Sequence, residues 1–245
     1  MRNESDTATA RGPTPGSTEM TSRGSAILAL TLLIPAPSVG ATFGLILLPG
    51  PVGSTIYALC KLWMCLLPAV WWLWVEKQRP GWSPPRKGGF AVAAALGLAI
   101  SVVIFTAYYT IGVGLIDPQQ VRALAAQNNL TSLPRYLGLS AYLIFVNSVL
   151  EEYVYRWFVF RQFERVIGSW PAVFAAAVAF TIHHVIALVP QMGWTVAILA
   201  NIGVFTGGAI WSGLYLRYRS VWPGYVSHAI VDVAILIIGW QLIFN

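Results

Sequence analysis

The sequence predicts an all-α, polytopic transmembrane helical bundle of about seven spans with a buried polar site. Three observations predict it. Of the 245 residues 57% are hydrophobic and only 10% charged, against roughly 25% charged in an ordinary soluble domain, and the mean hydropathy is +0.67. The apolar residues gather into stretches of about 20, the length that crosses a bilayer as a helix. Inside three of these stretches stand ionisable groups: Glu151, Glu152 and Arg156; His183 and His184; His228 and Asp232. Each charge at bilayer depth costs about 2.5 to 3.5 kcal/mol on insertion scales, so such residues mark function or a partner.

Residues 1–24 mix Arg, Glu, Asp, Ser, Thr, Pro and Gly without an apolar run. They read as a disordered cytoplasmic tail, not as a cleavable signal peptide. The remainder, 25–245, reads as a single transmembrane domain without an internal repeat. Its predicted spans are 25–49, 54–75, 89–116, 137–160, 171–189, 193–216 and 222–244. The first holds Pro35, Pro37, Gly40 and Gly44 and is expected to kink or re-enter. Residues 117–136 form the one sizeable external loop, with a short amphipathic helix at Val121 to Ala126.

Alternate loops must lie on one side of the membrane, and the cytoplasmic loops should hold the cations. Arg2, Arg11, Arg23, Lys77, Arg79, Arg86, Lys87, Arg161, Arg165, Arg217 and Arg219 fall in one set, and only Arg122 and Arg135 in the other. This bias places the N-terminus in the cytoplasm and the C-terminus outside. Trp71, Trp72, Trp74, Trp170 and Trp222 stand at the cytoplasmic ends, where an aromatic belt belongs. The formal charge of +6 is spread through short loops and forms no basic stripe with interleaved aromatics, which excludes nucleic acid as a partner. The expected partners are membrane lipid and a peptide or lipidated protein substrate. Cys60 and Cys65 share one span, so no disulfide framework is expected.

Helical rise converts position into depth. Glu151 and Asp232 come out about 15 Å below the cytoplasmic surface, His228 near ~9 Å and His184 near ~20 Å, so one cavity can take all four. Glu152 and Arg156 stand four apart with the acid first, the order of a mutually neutralising helical pair. Glu151 is then left to serve as a carboxylate that takes a proton from water and returns it, or as a second contact to a neighbouring helix. His183 and His184 are about 100° apart on a helix, so one is expected to face Glu151 and the other to bond a backbone carbonyl or another helix. His228 and Asp232 share a helix face; they read as metal ligands, as an oriented imidazole, or as a bond tying one helix together. Gly203-x-x-x-Gly207 reads as a close helix-packing face. Lys61 and Asn201 have no sequence partner and are left outside the site. Asn147-Ser148 and Ser227 lack the setting of a nucleophilic serine.

Glu151-Glu152-Tyr153-Val154-Tyr155-Arg156, Phe180-Thr181-Ile182-His183-His184 and His228-Ala229-Ile230-Val231-Asp232 resemble, in order and spacing, the motifs of the CPBP intramembrane proteases. That family includes the type II CAAX prenyl endopeptidases and bacteriocin-processing proteins. The resemblance covers residues 137–240, the protease-like core. It implies an intramembrane endopeptidase, of metalloprotease or glutamate type, in which Glu151 activates water, Glu152 and Arg156 support it, His184 shares the water or metal, and His228 with Asp232 forms the opposite wall. It admits Zn2+ held by Glu151, His184, His228 and Asp232, or a metal-free glutamate and histidine mechanism. The family pattern takes Asn or Asp at the last position; where it is Asn the amide can donate to an oxyanion, whereas Asp232, if ionised, only accepts hydrogen bonds. The implied location is integral in a bacterial plasma membrane, and the implied reaction is CAAX-type or other C-terminal or leader-peptide processing. The alternatives are a non-catalytic immunity or partner-stabilising protein, or a proton-coupled transporter, whose repeated halves are not found here.

Overall fold

The computed structural model describes residues 15–48, 50–81 and 83–245. Six helices are long and apolar enough to cross a membrane: α1 (Ser22–Gly44), α2 (Pro51–Val75), α3 (Phe90–Leu115), α5 (Leu133–Ile167), α6 (Ser169–Tyr218) and α7 (Val221–Phe244). A short surface helix, α4 (Pro118–Gln127), caps the loop before α5. Asp117 starts it by accepting from the Gln119 N–H at 2.8 Å, as an N-cap should. No strand occurs among the described residues.

The helix count is six where seven spans were expected, and the difference lies in α6. Its 50 residues contain one non-helical position, Gly193, at φ 72° and ψ 169°. That backbone region belongs essentially to glycine. The chain folds back there: a methyl group on Gly208 would stand 3.4 Å from the Ala177 Cα, and the Phe180 and Trp211 rings lie 6.1 Å apart. The two arms occupy the ranges that the sequence assigned to separate spans, and each is about 36 Å long.

The helical backbone begins at Pro15, inside the segment expected to be an unstructured tail. Residues 1–14 of that tail lie outside the described residues. In α1 the helix is interrupted at Ile34, whose φ −59° and ψ −37° stay helical, and resumes at Pro35, whose missing N–H removes one helix bond without ending the span.

Contacts fix the packing directions. Ser101 reaches the Ile230 carbonyl and Tyr109 bonds Gln241, so α3 and α7 run side by side in the same direction. Tyr136 donates to the Leu236 carbonyl while Glu152 meets His228, so α5 runs against α7. One end of the bundle gathers Glu76, Arg161, Arg165, Glu164 and Arg219 in ion pairs. At the other, Gln120 bonds the Gln191 carbonyl and Arg122 bonds that of Leu242. Arg161, Arg165 and Arg219 thus lie at one end and Arg122 at the other, as sequence parity separates them.

Apolar side chains fill the core and also cover much of the outside of the bundle. Trp74 and Trp170 are 75% and 70% exposed at the cation-rich end, where aromatic rings sit at the edge of the lipid. Trp71, expected in the same belt, is instead buried in the core. Buried at the centre are Glu152, Arg156, Ser148, Ser227 and His228.

Candidate active site

The site is built on an unusual stretch of α5. Residues Glu152–Phe160 are wound as a π-helix, as are Leu143–Asn147 just before them. Bonding from i to i+5 widens the turn, so successive side chains rotate around the axis more slowly than in an α-helix. Seven of the nine residues are buried as a result, including Glu152, Tyr155 and Arg156.

Glu152 and Arg156 form the expected pair, with Nε 3.5 Å from Oε1 and both side chains fully enclosed. The guanidinium lies over the Phe180 ring at 4.6 Å and near Trp211 at 5.2 Å, and an Nη2–H points to the Gly208 carbonyl at 3.4 Å. It thereby joins α5 to both arms of α6. Glu152 also faces α7: its Oε1 lies 3.2 Å from His228 Nδ1, and its other oxygen lies so close to Gly224 that a Cβ there would collide with it.

His228 stacks flat on Trp211, with centroids 3.8 Å apart, and its Nδ1 donates to the Glu152 carboxylate. Nε2 is left facing inward, 3.6 Å from Glu151 Oε2 and 3.8 Å from Asp232 Oδ1. Asp232 is held from behind by the Ser148 hydroxyl, which also lies 2.7 Å from the Leu143 carbonyl. A hydroxyl has one hydrogen to give to these two acceptors.

Glu151 is not left without a partner. Its Oε1 accepts from the Asn147 amide at 2.9 Å, and the Asn147 oxygen accepts from Lys61 Nζ of α2 at 2.6 Å. Lys61, set aside in the sequence for want of a partner, therefore stays at the middle of its span. Asn201, set aside with it, is buried and bonds its own helix at the Ala197 carbonyl.

Both histidines of α6 face Glu151. One ligand atom from each of Glu151, His183 and His184 lies within 4.8 Å of the others. The expectation that only one would do so fails because adjacent side chains on one helix converge when their rings bend together, here with centroids 4.2 Å apart. His184 Nδ1 is 2.8 Å from the Phe180 carbonyl, and His183 Nδ1 is 3.0 Å from the Tyr155 hydroxyl. Each ring thus uses Nδ1 for orientation and keeps Nε2, the pattern of histidines that bind a metal or a water. The donor group seen in the structure takes His183 in place of His228 and Asp232. Tyr155, Trp211, Asn147, Ser148 and Lys61 were not selected from the sequence.

Against known proteins, a family model described as type II CAAX prenyl endopeptidase Rce1-like matches residues 133–234. No curated protein and no solved structure was found to match. The matched residues run from the start of α5 to just beyond Asp232 and contain Glu151, Glu152, His183, His184, His228 and Asp232. Over residues 133–234, less than half of the chain, the sequence is therefore similar to the type II CAAX prenyl endopeptidase Rce1-like family.

Proposed function

We propose that the protein is an integral-membrane endopeptidase in which Glu151 is the general base, acting on a water held between it and His183 and His184. The observation that carries this reading is the meeting of half-buried Glu151, His183 and His184 with buried His228, from three separate helices. Glu151 takes a proton as the water oxygen attacks the peptide carbonyl. His228, as an imidazolium whose Nδ1–H is held by Glu152, turns its Nε2–H across from Glu151 to stabilise the oxyanion, and the proton on Glu151 passes to the departing amine. Fixed donors aimed at developing charge are the strongest device an enclosed site offers.

Glu152 and Arg156 are positioning residues. Glu152 holds His228 Nδ1 as a donor, and Arg156 balances the Glu152 charge. Asp232 and the Leu143 carbonyl compete for one Ser148 proton, and a proton on Asp232 resolves the conflict by donating back to Ser148. Asp232 then presents an acceptor to the cavity and orients His228 without donating to the oxyanion.

Glu151, His183 and His184 fit a divalent ion such as Zn2+: a carboxylate and two imidazoles, each imidazole fixed through Nδ1, with a position left open. When bound, such an ion would polarise the carbonyl and acidify water. Cleavage lost to a strong chelator and restored by Zn2+ marks the assisted form; cleavage untouched by chelation marks the residues alone.

The substrate class that fits is a peptide delivered from the membrane, with CAAX-type C-terminal processing the form that the family favours. The membrane is the bacterial plasma membrane, with the cation-rich end in the cytoplasm. Glu151→Gln should lower cleavage of lipidated C-terminal peptides by about 10²- to 10⁴-fold while the protein still inserts. Cleavage at the unmodified rate would remove Glu151 from its role.

A further inference from the structure

Tyr155 has no part in the proposed chemistry, yet its hydroxyl touches that chemistry at one nitrogen. The π stretch of α5 turns the residue inward until it is 2% exposed. There its ring stacks on His183, with centroids 5.6 Å apart and planes 11° from parallel, and stands edge-on to Phe180. Among the described residues the hydroxyl has one hydrogen-bond partner, His183 Nδ1 at 3.0 Å.

A tyrosine hydroxyl has one hydrogen to give, and a neutral imidazole has one nitrogen that donates and one that accepts. With the His183 hydrogen on Nδ1, that N–H would serve the Ala179 carbonyl, which faces the ring, and the Tyr155 hydrogen would have no acceptor among the described residues. The Ala179 carbonyl does not need it. As a helix carbonyl of α6 it already receives the backbone N–H of His183, four residues on. With Tyr155 donating to Nδ1, neither group is left unpaired, as buried polar groups require. His183 then carries its own hydrogen on Nε2. His184 is the opposite case: a carbonyl only accepts, so His184 Nδ1 donates to that of Phe180 and Nε2 is bare.

We propose that Tyr155 is a positioning residue that makes the two adjacent histidines chemically unlike, His183 a donor through Nε2–H and His184 an acceptor through Nε2. This rests on the peptidase reading of Glu151 and deepens it. The three groups then match one water: His183 donates to its oxygen, and its two hydrogens go to Glu151 and His184. One lone pair of the oxygen stays clear. As that pair forms the bond to the peptide carbon, the carbonyl π pair moves onto its oxygen and the hydrogen facing Glu151 passes to the carboxylate. A divalent cation needs bare nitrogens, and Tyr155 leaves it one of the two that α6 supplies. The same donor group takes an ion once His183 moves its hydrogen to Nδ1, so the hydroxyl selects water.

The chain has three histidines, which makes their hydrogens readable by solid-state NMR of the full chain, isotopically labelled at the histidine nitrogens, in lipid bilayers. At about pH 8, above the ordinary imidazole value, His183 should carry hydrogen on Nε2 and His184 on Nδ1, with signals assigned by their loss in His183→Ala and His184→Ala. Hydrogen on His183 Nδ1 in the unmodified protein overturns the proposal. Tyr155→Phe keeps the ring and removes the hydroxyl. It should move the His183 hydrogen to Nδ1 and tighten binding of Co2+, followed by its visible absorption, by about 10- to 100-fold, the scale on which partners of a ligand histidine tune affinity. A tyrosine that merely props the fold would weaken that binding when cut back. Co2+ binding unchanged or weaker in Tyr155→Phe, or a gain that survives adding His183→Ala, overturns the proposal. Where Tyr155→Phe does not insert, the hydrogen positions in the unmodified protein decide alone. Cleavage by Glu151→Gln scores the peptidase reading separately. Unlike histidines in a protein that cleaves nothing keep the role of Tyr155 and lose the enzyme.

Discussion

At the residue scale, Gly224 shows how tightly the polar centre is closed. It sits where a Cβ would meet the Glu152 carboxylate, which is enclosed between Arg156 and His228. Gly224→Ala must push Glu152 off His228 or part α5 from α7. It should cost about 1 to 3 kcal/mol of stability, the range for overpacking a filled interior, and should slow cleavage because His228 loses its orientation. Unfolding in a mixed-detergent titration measures the first effect, and an unchanged midpoint would show that the helices yield there freely. Scarcity made the acids and imidazoles legible in the sequence: in apolar spans, Glu151, His184, His228 and Asp232 stand out. Lys61, Asn147 and Tyr155 did not, because their partners lie on other helices or on a turn whose width the sequence does not announce. His183 was hidden by a uniform helical angle that takes no account of how rings bend.

At the scale of elements, the winding of α5 decides which residues meet. An ordinary α-helix would rotate Tyr155 and Arg156 further apart than they stand, and the π stretch lets both point inward. The same helix is anchored below the site. Glu76, just past the end of α2, accepts two hydrogen bonds from Arg165, at 2.6 and 2.8 Å, and one from Gln162 at 2.8 Å, with Arg161 at 3.9 Å. Burial raises the Glu76 carboxyl, but the bonds from Arg165 and Gln162 and the charges of Arg165 and Arg161 outweigh it and hold the group below the usual carboxylate range. A depressed folded value means that the stabilisation is complete above the unfolded value and is lost as pH falls through the folded one. The stability difference between the unmodified protein and Glu76→Gln should therefore shrink between about pH 6 and about pH 3. A difference that stays constant over that range would remove Glu76 as the source. Span positions were read well from hydropathy, since lipid imposes length and apolarity on every crossing. The ends were read less well: α5 runs from Leu133 to Ile167 where 137–160 was expected, because hydropathy falls off at charged turns before the helix does.

At the scale of the whole molecule, two ends of opposite character frame the site. Arg86 and Asn129 lie in loops at the cation-rich and cation-poor ends. With the orientation proposed above, a cysteine replacing Arg86 should react with an impermeant thiol reagent only in inverted vesicles, and one replacing Asn129 only in intact cells. The reverse pattern turns the protein over in the membrane. The sixth crossing was legible as an apolar range; the sequence did not say that its connection to the previous one shrinks to a single residue, Gly193. That brevity has a consequence for assembly. Severing the backbone at Gly193 leaves one fragment with Glu151, His183 and His184 and another with Trp211, His228 and Asp232. The seam between them is an interior: the guanidinium of Arg156 on the Gly208 carbonyl, indole against phenyl ring, imidazole against carboxylate. Two polypeptides ending at 192 and starting at 194 should find each other when co-expressed, copurify through a tag on either one, and recover cleavage that neither has alone. Separate purification of the halves would mean that the covalent link, and not the seam, keeps the catalytic groups together.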